Sequence, residues 1–178
     1  MDARIFYQDG DVTVRALTEQ DIGPLCREEA LQGWPVRDAC YRGRLQDMAR
    51  GRCVALCALW RGEPAGYVNL YDGADDGPYA GAGLPQIVDF AVLEKYRRRG
   101  IGTRLMDVAE RLAAARADAV CLAVGLHSGY GSAQRMYVKR GYVPDGTGAW
   151  YRGAQLAQYA PCVNDDDLVL HMQKRWNP

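Results

Sequence analysis

Apolar and polar positions recur along the 178-residue chain in runs that predict a succession of strands and helices. Val12-Thr13-Val14-Arg15-Ala16 alternates with the two-residue period of a half-buried strand. Thr18, followed by Asp21, resembles an N-cap and predicts a helix over Glu19–Leu31, which Trp34-Pro35 then breaks. A second helix is expected from Asp38 to about Ala49. After it come an apolar strand over Cys53–Trp60, a tight turn at Arg61-Gly62-Glu63 and a strand over Ala65–Asp72, which together read as an antiparallel hairpin. Gly73–Leu84 is rich in Gly, Ala and Asp and is expected to be an exposed, mobile loop able to flank an active site. Beyond it the pattern predicts a strand over Gln86–Leu93, a glycine-bearing turn, a helix from about Gly100 to Ala115 and a strand over Ala119–Gly125. A shorter helix follows from about Ser132 to Arg140, ended by Gly141 as a left-handed cap before Tyr142-Val143, and Asp167–Met172 supplies a last strand.

That order predicts an α/β fold, a mixed sheet with helices on its faces. The length suits one domain, expected to span residues 1–178, and no repeat or linker-like stretch divides it. Lys plus Arg and Asp plus Glu are balanced at 22 each, so no long-range field draws the chain to nucleic acid or to an anionic membrane. No apolar run approaches the roughly 20 residues that span a bilayer, and the first ten residues lack the apolar stretch of a signal peptide, so a cytoplasmic protein is expected. Six cysteines, without paired C-x-x-C blocks and with only two histidines, read as reduced, mostly buried thiols and not as a metal site. Cys53 and Cys57 are expected on one face of their strand.

The most informative stretch runs from Val88 to Met106, where a buried strand passes through a basic turn into a helix. Gly100 and Gly102 leave room for close approach, and the unpaired N–H groups of the first helical turn, at the positive end of the dipole, suit an anion such as a pyrophosphate. Arg97, Arg98 and Arg99 can add charge-assisted hydrogen bonds or remain solvated. Ile101, Leu105, Val108, Ala109 and Leu112 fall at helical spacing and make one apolar face. A dinucleotide fingerprint fails for want of a third glycine, and no Gly-Lys-Ser/Thr makes a P-loop. Gly125-Leu126-His127-Ser128-Gly129 is not a nucleophile elbow, which sets a serine hydrolase aside and leaves His127 a structural residue.

With Arg97, Gly100 and Gly102 in the spacing Gln/Arg-x-x-Gly-x-Gly/Ala between strand and helix, the chain resembles the GNAT superfamily of N-acetyltransferases. Ala133-Gln134-Arg135-Met136-Tyr137-Val138-Lys139-Arg140-Gly141-Tyr142 is similar to that family's later helix, and the order of elements agrees over nearly the whole chain. The resemblance implies a single GNAT-like domain whose mixed, mostly antiparallel sheet is splayed in the middle, with helices on both faces. It implies acetyl-CoA as cosubstrate and no metal. The backbone of Phe90, Ala91 and Val92 would meet the pantetheine arm, and that of Arg98, Arg99, Gly100, Ile101, Gly102 and Thr103 the pyrophosphate. Many members begin the later helix with Asn where Tyr130 stands here, so Ser132 or a backbone group would replace that contact.

The implied reaction is transfer of acetyl to a primary amine by direct attack in a ternary complex, the acceptor being a small-molecule or peptide amine, and the resemblance allows a homodimer. Tyr137 matches the tyrosine many members place near the CoA sulfur, where it can protonate or hydrogen-bond the thiolate. Asp89 is the first candidate for the base that frees the amine, with Glu28 and Glu29 as alternatives. Trp34, Tyr41, Tyr71, Trp150 and Tyr151 can line an amine pocket or simply pack, and Asp165-Asp166-Asp167 can attract a cation or stay solvated. A non-catalytic acyl-CoA sensor and an enzyme for longer acyl groups are the alternatives.

Overall fold

The computed structural model describes residues 3–176. Among them are nine strands and four α-helices, and the chain gathers into two compact units. One unit comprises the residues up to Tyr71 together with Val88–Leu112, the other Asp72–Ile87 and the residues from Ala113 on.

In the first unit β1 (Ile5–Asp9), β2 (Val12–Ala16), β3 (Cys53–Trp60), β4 (Glu63–Tyr71) and the end of β5 (Gln86–Val92) lie side by side in that order. β1–β2, β2–β3 and β3–β4 are antiparallel. The hydrophobic pattern does not foresee β1, an edge strand that is nowhere fully buried and turns into β2 through Gly10 at φ +52°. Cys53 and Cys57 share a buried face, as their spacing predicts.

Two helices precede β3. α1 (Glu19–Leu31) opens on Thr18, whose N–H and hydroxyl both donate to Asp21 Oδ2 at 2.8 Å. Asp21 is buried and also takes two hydrogen bonds from Arg15, at 2.7 and 2.6 Å, so the cap ties helix to strand. Ile22 and Leu25 point into a core with Leu17, Ala55, Cys57 and Leu93. α2 (Asp38–Ala49) shows no comparable apolar stripe; Tyr41 is its one buried residue. α3 (Ile101–Ala114) buries Ile101, Leu105, Val108 and Ala109 of the five positions its sequence predicts for the apolar face and leaves Leu112 partly buried.

The second unit holds the first two residues of β5, then β6 (Ala119–Gly125), β9 (Leu168–Arg175), β7 (Val143–Tyr151) and the short β8 (Ala154–Gln155), in that spatial order. β5 and β6 run parallel through Gln86↔Cys121 and Ile87↔Leu122, whereas β6–β9, β7–β9 and β7–β8 are antiparallel. The sheet is therefore mixed and mostly antiparallel, as expected. α4 (Gly131–Lys139) ends at Gly141, φ +89°, with the N–H of Tyr142 bonded to the carbonyl of Tyr137 at 3.0 Å.

The segment expected to be an exposed loop, Gly73–Leu84, is partly packed. It contains a one-turn 3-10 helix over Gly77–Tyr79, Ala74 bridges to Ala80, and Ala74 and Tyr79 are buried with Cys121. Tyr79 supplies the apolar anchor that the Gly and Asp content obscures. No helix among the described residues is long and apolar enough to cross a membrane.

Candidate active site

β5 leads into a one-turn 3-10 helix, Glu94–Tyr96, and then into α3. The buried Leu93 pins the start of this turn, its N–H bonded to the carbonyl of Ala65 at 2.9 Å. Arg98 and Gly100 adopt left-handed conformations, φ +61° and +77°, and a side chain built on Gly100 would meet nothing within 4 Å. The N–H of Arg104 bonds to the carbonyl of Gly100 at 3.1 Å, so the N–H groups of Ile101, Gly102 and Thr103 precede the first bond of the helix ladder. An open approach and unspent donors at the positive end of a helix suit an anionic ligand.

The arginines divide the work. Arg97 lies over the Trp34 ring, its guanidinium carbon 5.5 Å from the centroid, and pairs with Glu94 at 3.3 Å. Arg99 lies over Trp60 at 4.9 Å. Arg98 is exposed. Gly102 is needed for packing: a Cβ there would stand 3.1 Å from Phe90 Cζ and 3.4 Å from Val92 Cγ2. On the neighbouring strand a Cβ on Gly66 would come within 2.7 Å of the Ala91 carbonyl oxygen and 3.2 Å of Val92 Cα. Residues 90–92 thus run between two glycines that let their backbone come close.

Family identity follows from the span of residues that share this arrangement. The description "Acetyltransferase (GNAT) family" matches residues 21–142, more than half of the chain. The chain belongs to the GNAT family. No curated protein matches it. The GNAT fold recurs in solved structures. One, from Salmonella typhimurium, is described as an acetyl transferase that modifies the N-terminal serine of 50S ribosomal subunit protein L7/L12; it is 10% identical, with 98% of this chain and 100% of that one covered and a TM-score of 0.72. Ard1 from Thermoplasma volcanium is 21% identical over 93% and 98%, TM-score 0.64. Arabidopsis thaliana Naa50, in complex with the bisubstrate analogue CoA-Ac-MVNAL, is 17% identical over 94% and 100%, TM-score 0.63. At these identities the likeness establishes the fold.

The first unit of this GNAT protein also holds a polar cluster built by α1, α2, β4 and β5. Glu29, wholly buried, accepts from Tyr41 Oη at 2.6 Å, Tyr67 Oη at 3.3 Å and the Arg37 N–H at 3.1 Å. Arg37 donates to the Tyr67 hydroxyl and stands 3.6 Å from Asp89 Oδ1. Arg44 donates to Asp89 Oδ2 through Nη2 at 2.5 Å and Nε at 3.2 Å, and to Tyr71, whose hydroxyl donates to Asp47 at 2.6 Å. Burial, the largest single influence, would lower the Arg44 pKa, but the Asp89 charge and the hydrogen bonds to Asp89 and Tyr71 together outweigh it and the net shift is upward. Burial raises the Tyr41 and Tyr67 hydroxyls, which stay neutral donors. Asp89 therefore sits in a web of donors, and its backbone is unusual as well, with φ +52° inside a strand. For a residue other than glycine that conformation costs about 1–2 kcal/mol. Of the two alternative carboxylates, Glu28 is paired with Lys95 at 2.6 Å and Glu29 is enclosed by its donors.

Sequence reasoning missed Arg37, Arg44 and Tyr67. The available signal lies in α2 and its N-cap, where Arg37, Cys40, Tyr41 and Arg44 recur at helical spacing with polar groups in the positions an apolar stripe would fill.

In the second unit Tyr137 is buried on α4, edge-on to Tyr142 at 5.6 Å. Ser132 is exposed. Tyr130, at the N-cap of α4, lies over Gly125, where a Cβ would be 2.3 Å from its ring, and its hydroxyl donates to Asp166 at 3.0 Å. His127 accepts the Gly129 N–H at 3.1 Å and pairs with Asp166 at 2.9 Å, a structural role as expected. Asp165 and Asp167 are likewise used locally, near Arg152 at 3.9 and 3.5 Å. Trp150 donates to Thr147 at 2.7 Å and Tyr151 to Asp165 at 3.3 Å. Among the described residues no group of three or more His, Cys, Asp or Glu is arranged to hold a metal.

Proposed function

We propose that this GNAT protein is an acetyl-CoA-dependent N-acetyltransferase that acetylates a primary amine by direct attack in a ternary complex. The observation that carries the reading is the open turn at Gly100, whose following N–H groups, on Ile101, Gly102 and Thr103, come before the helix ladder begins. These groups would hold the diphosphate, with exposed Arg98 adding charge and Arg97 and Arg99 flanking it from their aromatic stacks. The backbone of Phe90–Val92 would hold the pantetheine arm, which the close-packed glycines favour by fixing that segment. Ser132, exposed at the start of α4, is the substitute contact proposed in place of the missing Asn.

The amine loses its proton, its nitrogen bonds to the acetyl carbon, the carbon–sulfur bond breaks and the thiolate collects a proton. The Val92 N–H is the proposed donor to the carbonyl oxygen, and the Tyr137 hydroxyl the proposed donor to the sulfur. Asp89 is the first candidate to take the amine's proton; its Oδ2 accepts two hydrogen bonds from Arg44 and its Oδ1 stands 3.6 Å from Arg37, so Oδ1, the less engaged oxygen, is the one offered to an amine or a water. Asp89→Asn separates the roles: a base predicts a collapse of turnover and a shifted pH-rate profile, and an unchanged profile removes the assignment.

The acceptor class is drawn from structural neighbours, one described as modifying the N-terminal serine of a ribosomal protein and another bound to the bisubstrate analogue CoA-Ac-MVNAL, which favours a peptide α-amine over a small-molecule amine. We place its work in the cytoplasm as a monomer or homodimer, a setting that suits its free cysteines. The decisive experiment is calorimetric titration with CoA, followed by release of CoA thiol from acetyl-CoA over a panel of peptides and small amines. Binding with release on at least one amine is expected. Binding without release on any acceptor favours the sensor reading, and no binding ends both.

A further inference from the structure

Five residues other than glycine have positive φ among the described residues: Arg61, Asp89, Arg98, Arg152 and Tyr159. Four of them lie in turns, where the conformation serves a change of direction. Asp89 alone lies inside a strand. Asp adopts that conformation at a cost that glycine does not bear, so contacts from outside the strand that hold it there are stabilising.

The holding groups come from α2 and its N-cap. Arg44 places two hydrogen bonds on Asp89 Oδ2, at 2.5 and 3.2 Å; Cys40 Sγ lies 3.8 Å from the same oxygen, and Arg37 Nη1 lies 3.6 Å from Oδ1. Arg44 is itself braced by Tyr71, which is fixed by Asp47 one turn further along α2. The residues after Asp89 then meet the cofactor turn, with Phe90 and Val92 both against Gly102. Side chains alternate along a strand, so an irregular residue before Phe90 decides which face Phe90 and Val92 present. If Asp89 relaxed to an ordinary strand conformation, the two side chains would leave Gly102, and the segment would lose its fit against Gly66.

We propose that Arg44 is a positioning residue for coenzyme A: by gripping the Asp89 carboxylate it fixes the left-handed residue in β5 that sets Phe90–Val92 against the Gly100–Thr103 turn. The inference rests on the coenzyme A reading above and adds a residue from a different helix to it. Arg44 acts on that segment through Asp89, whose Oδ2 it holds.

The test is a double-mutant cycle of Arg44→Met with Asp89→Gly, read by calorimetric CoA affinity and by melting temperature. Glycine adopts positive φ without help, so the clamp is needed only while residue 89 is Asp. Arg44→Met is expected to weaken CoA binding about tenfold in the Asp89 chain and less than twofold in the Asp89→Gly chain, because the strain it releases is of that order. The melting temperature should show the same dependence on residue 89. Equal losses in both backgrounds, or no loss in either, overturn the clamp. If Arg44→Met alone does not fold while the double variant folds and binds, the clamp is supported; if neither folds, Arg44 is required for another reason and the clamp falls. A wild-type chain without CoA affinity refutes the coenzyme A reading itself and takes the proposal with it, an outcome distinct from the others because it appears before any substitution.

Discussion

Burial raises the pKa of the Tyr137 hydroxyl, and the neighbouring Tyr130 adds to the shift. Such a phenol keeps its proton well into alkaline solution and is better suited to donate a hydrogen bond to a departing thiolate than to surrender the proton outright. Tyr137→Phe is expected to lower kcat on the order of 100-fold, with little change in the KM for acetyl-CoA and in the melting temperature. The same shift means that Tyr137 should contribute no falling limb near pH 10 to the wild-type pH-rate profile. A falling limb there that disappears in Tyr137→Phe would mean that the phenol loses its proton in the ordinary range, and would contradict the upward shift. At this scale Arg97, Gly100 and Gly102 are readable from the sequence because a turn into a helix constrains residue types at fixed spacing. The backbone of Asp89 is not: Asp tolerates positive φ but does not demand it, and Arg44 stands 45 residues away along the chain. The partners of Glu29 are hidden for the same reason, since Tyr67 lies 38 residues from it.

Elements with local signals are the ones the sequence predicts closely. Helix α1 begins where Thr18 and Asp21 place it, and α4 ends at Gly141 because only a left-handed residue completes that cap. β1 and β8 carry little alternation and depend on partners for their existence, β1 on β2 and β8 on β7. β9 continues past its predicted end at Met172 to Arg175, which pairs with Ala119. The cap of α1 is more than local, because Asp21 is buried and serves Thr18 and Arg15 together. Asp21→Ala removes both sets of bonds and leaves the Arg15 guanidinium without that partner, so a loss of about 3 kcal/mol in unfolding free energy is expected. Asp21→Asn, which keeps an acceptor for Thr18, should lose less. Urea denaturation of the two variants measures the difference, and equal losses would show that the cap contributes nothing beyond the ion pair.

For the whole molecule the charge balance matters, since equal numbers of acidic and basic residues leave a formal net charge of zero at pH 7. Self-repulsion is therefore small near neutrality, and acid sensitivity there falls to individual groups. His171 is the outstanding one. It is buried on β9, edge-on to Trp150 at 5.2 Å and to Tyr79 at 6.2 Å, with its ring filling the space beside Gly77. Burial lowers its pKa from the ordinary 6.5, and Asp145 and Asp76 offset this only in part. The unfolded chain thus takes up this proton at a higher pH than the folded chain does. Stability from His171 is complete above about 6.5 and is lost as pH falls from there toward the lower folded value, by at most about 1.4 kcal/mol per pH unit. His171→Phe keeps a ring between Trp150 and Tyr79 but cannot be protonated. Denaturant unfolding at pH 7.5, 6.5 and 5.5 should show the wild type losing stability over the lower interval and the variant losing less. Parallel curves would mean that the acid response belongs to other groups and that the packed loop carrying Tyr79 does not depend on a neutral imidazole.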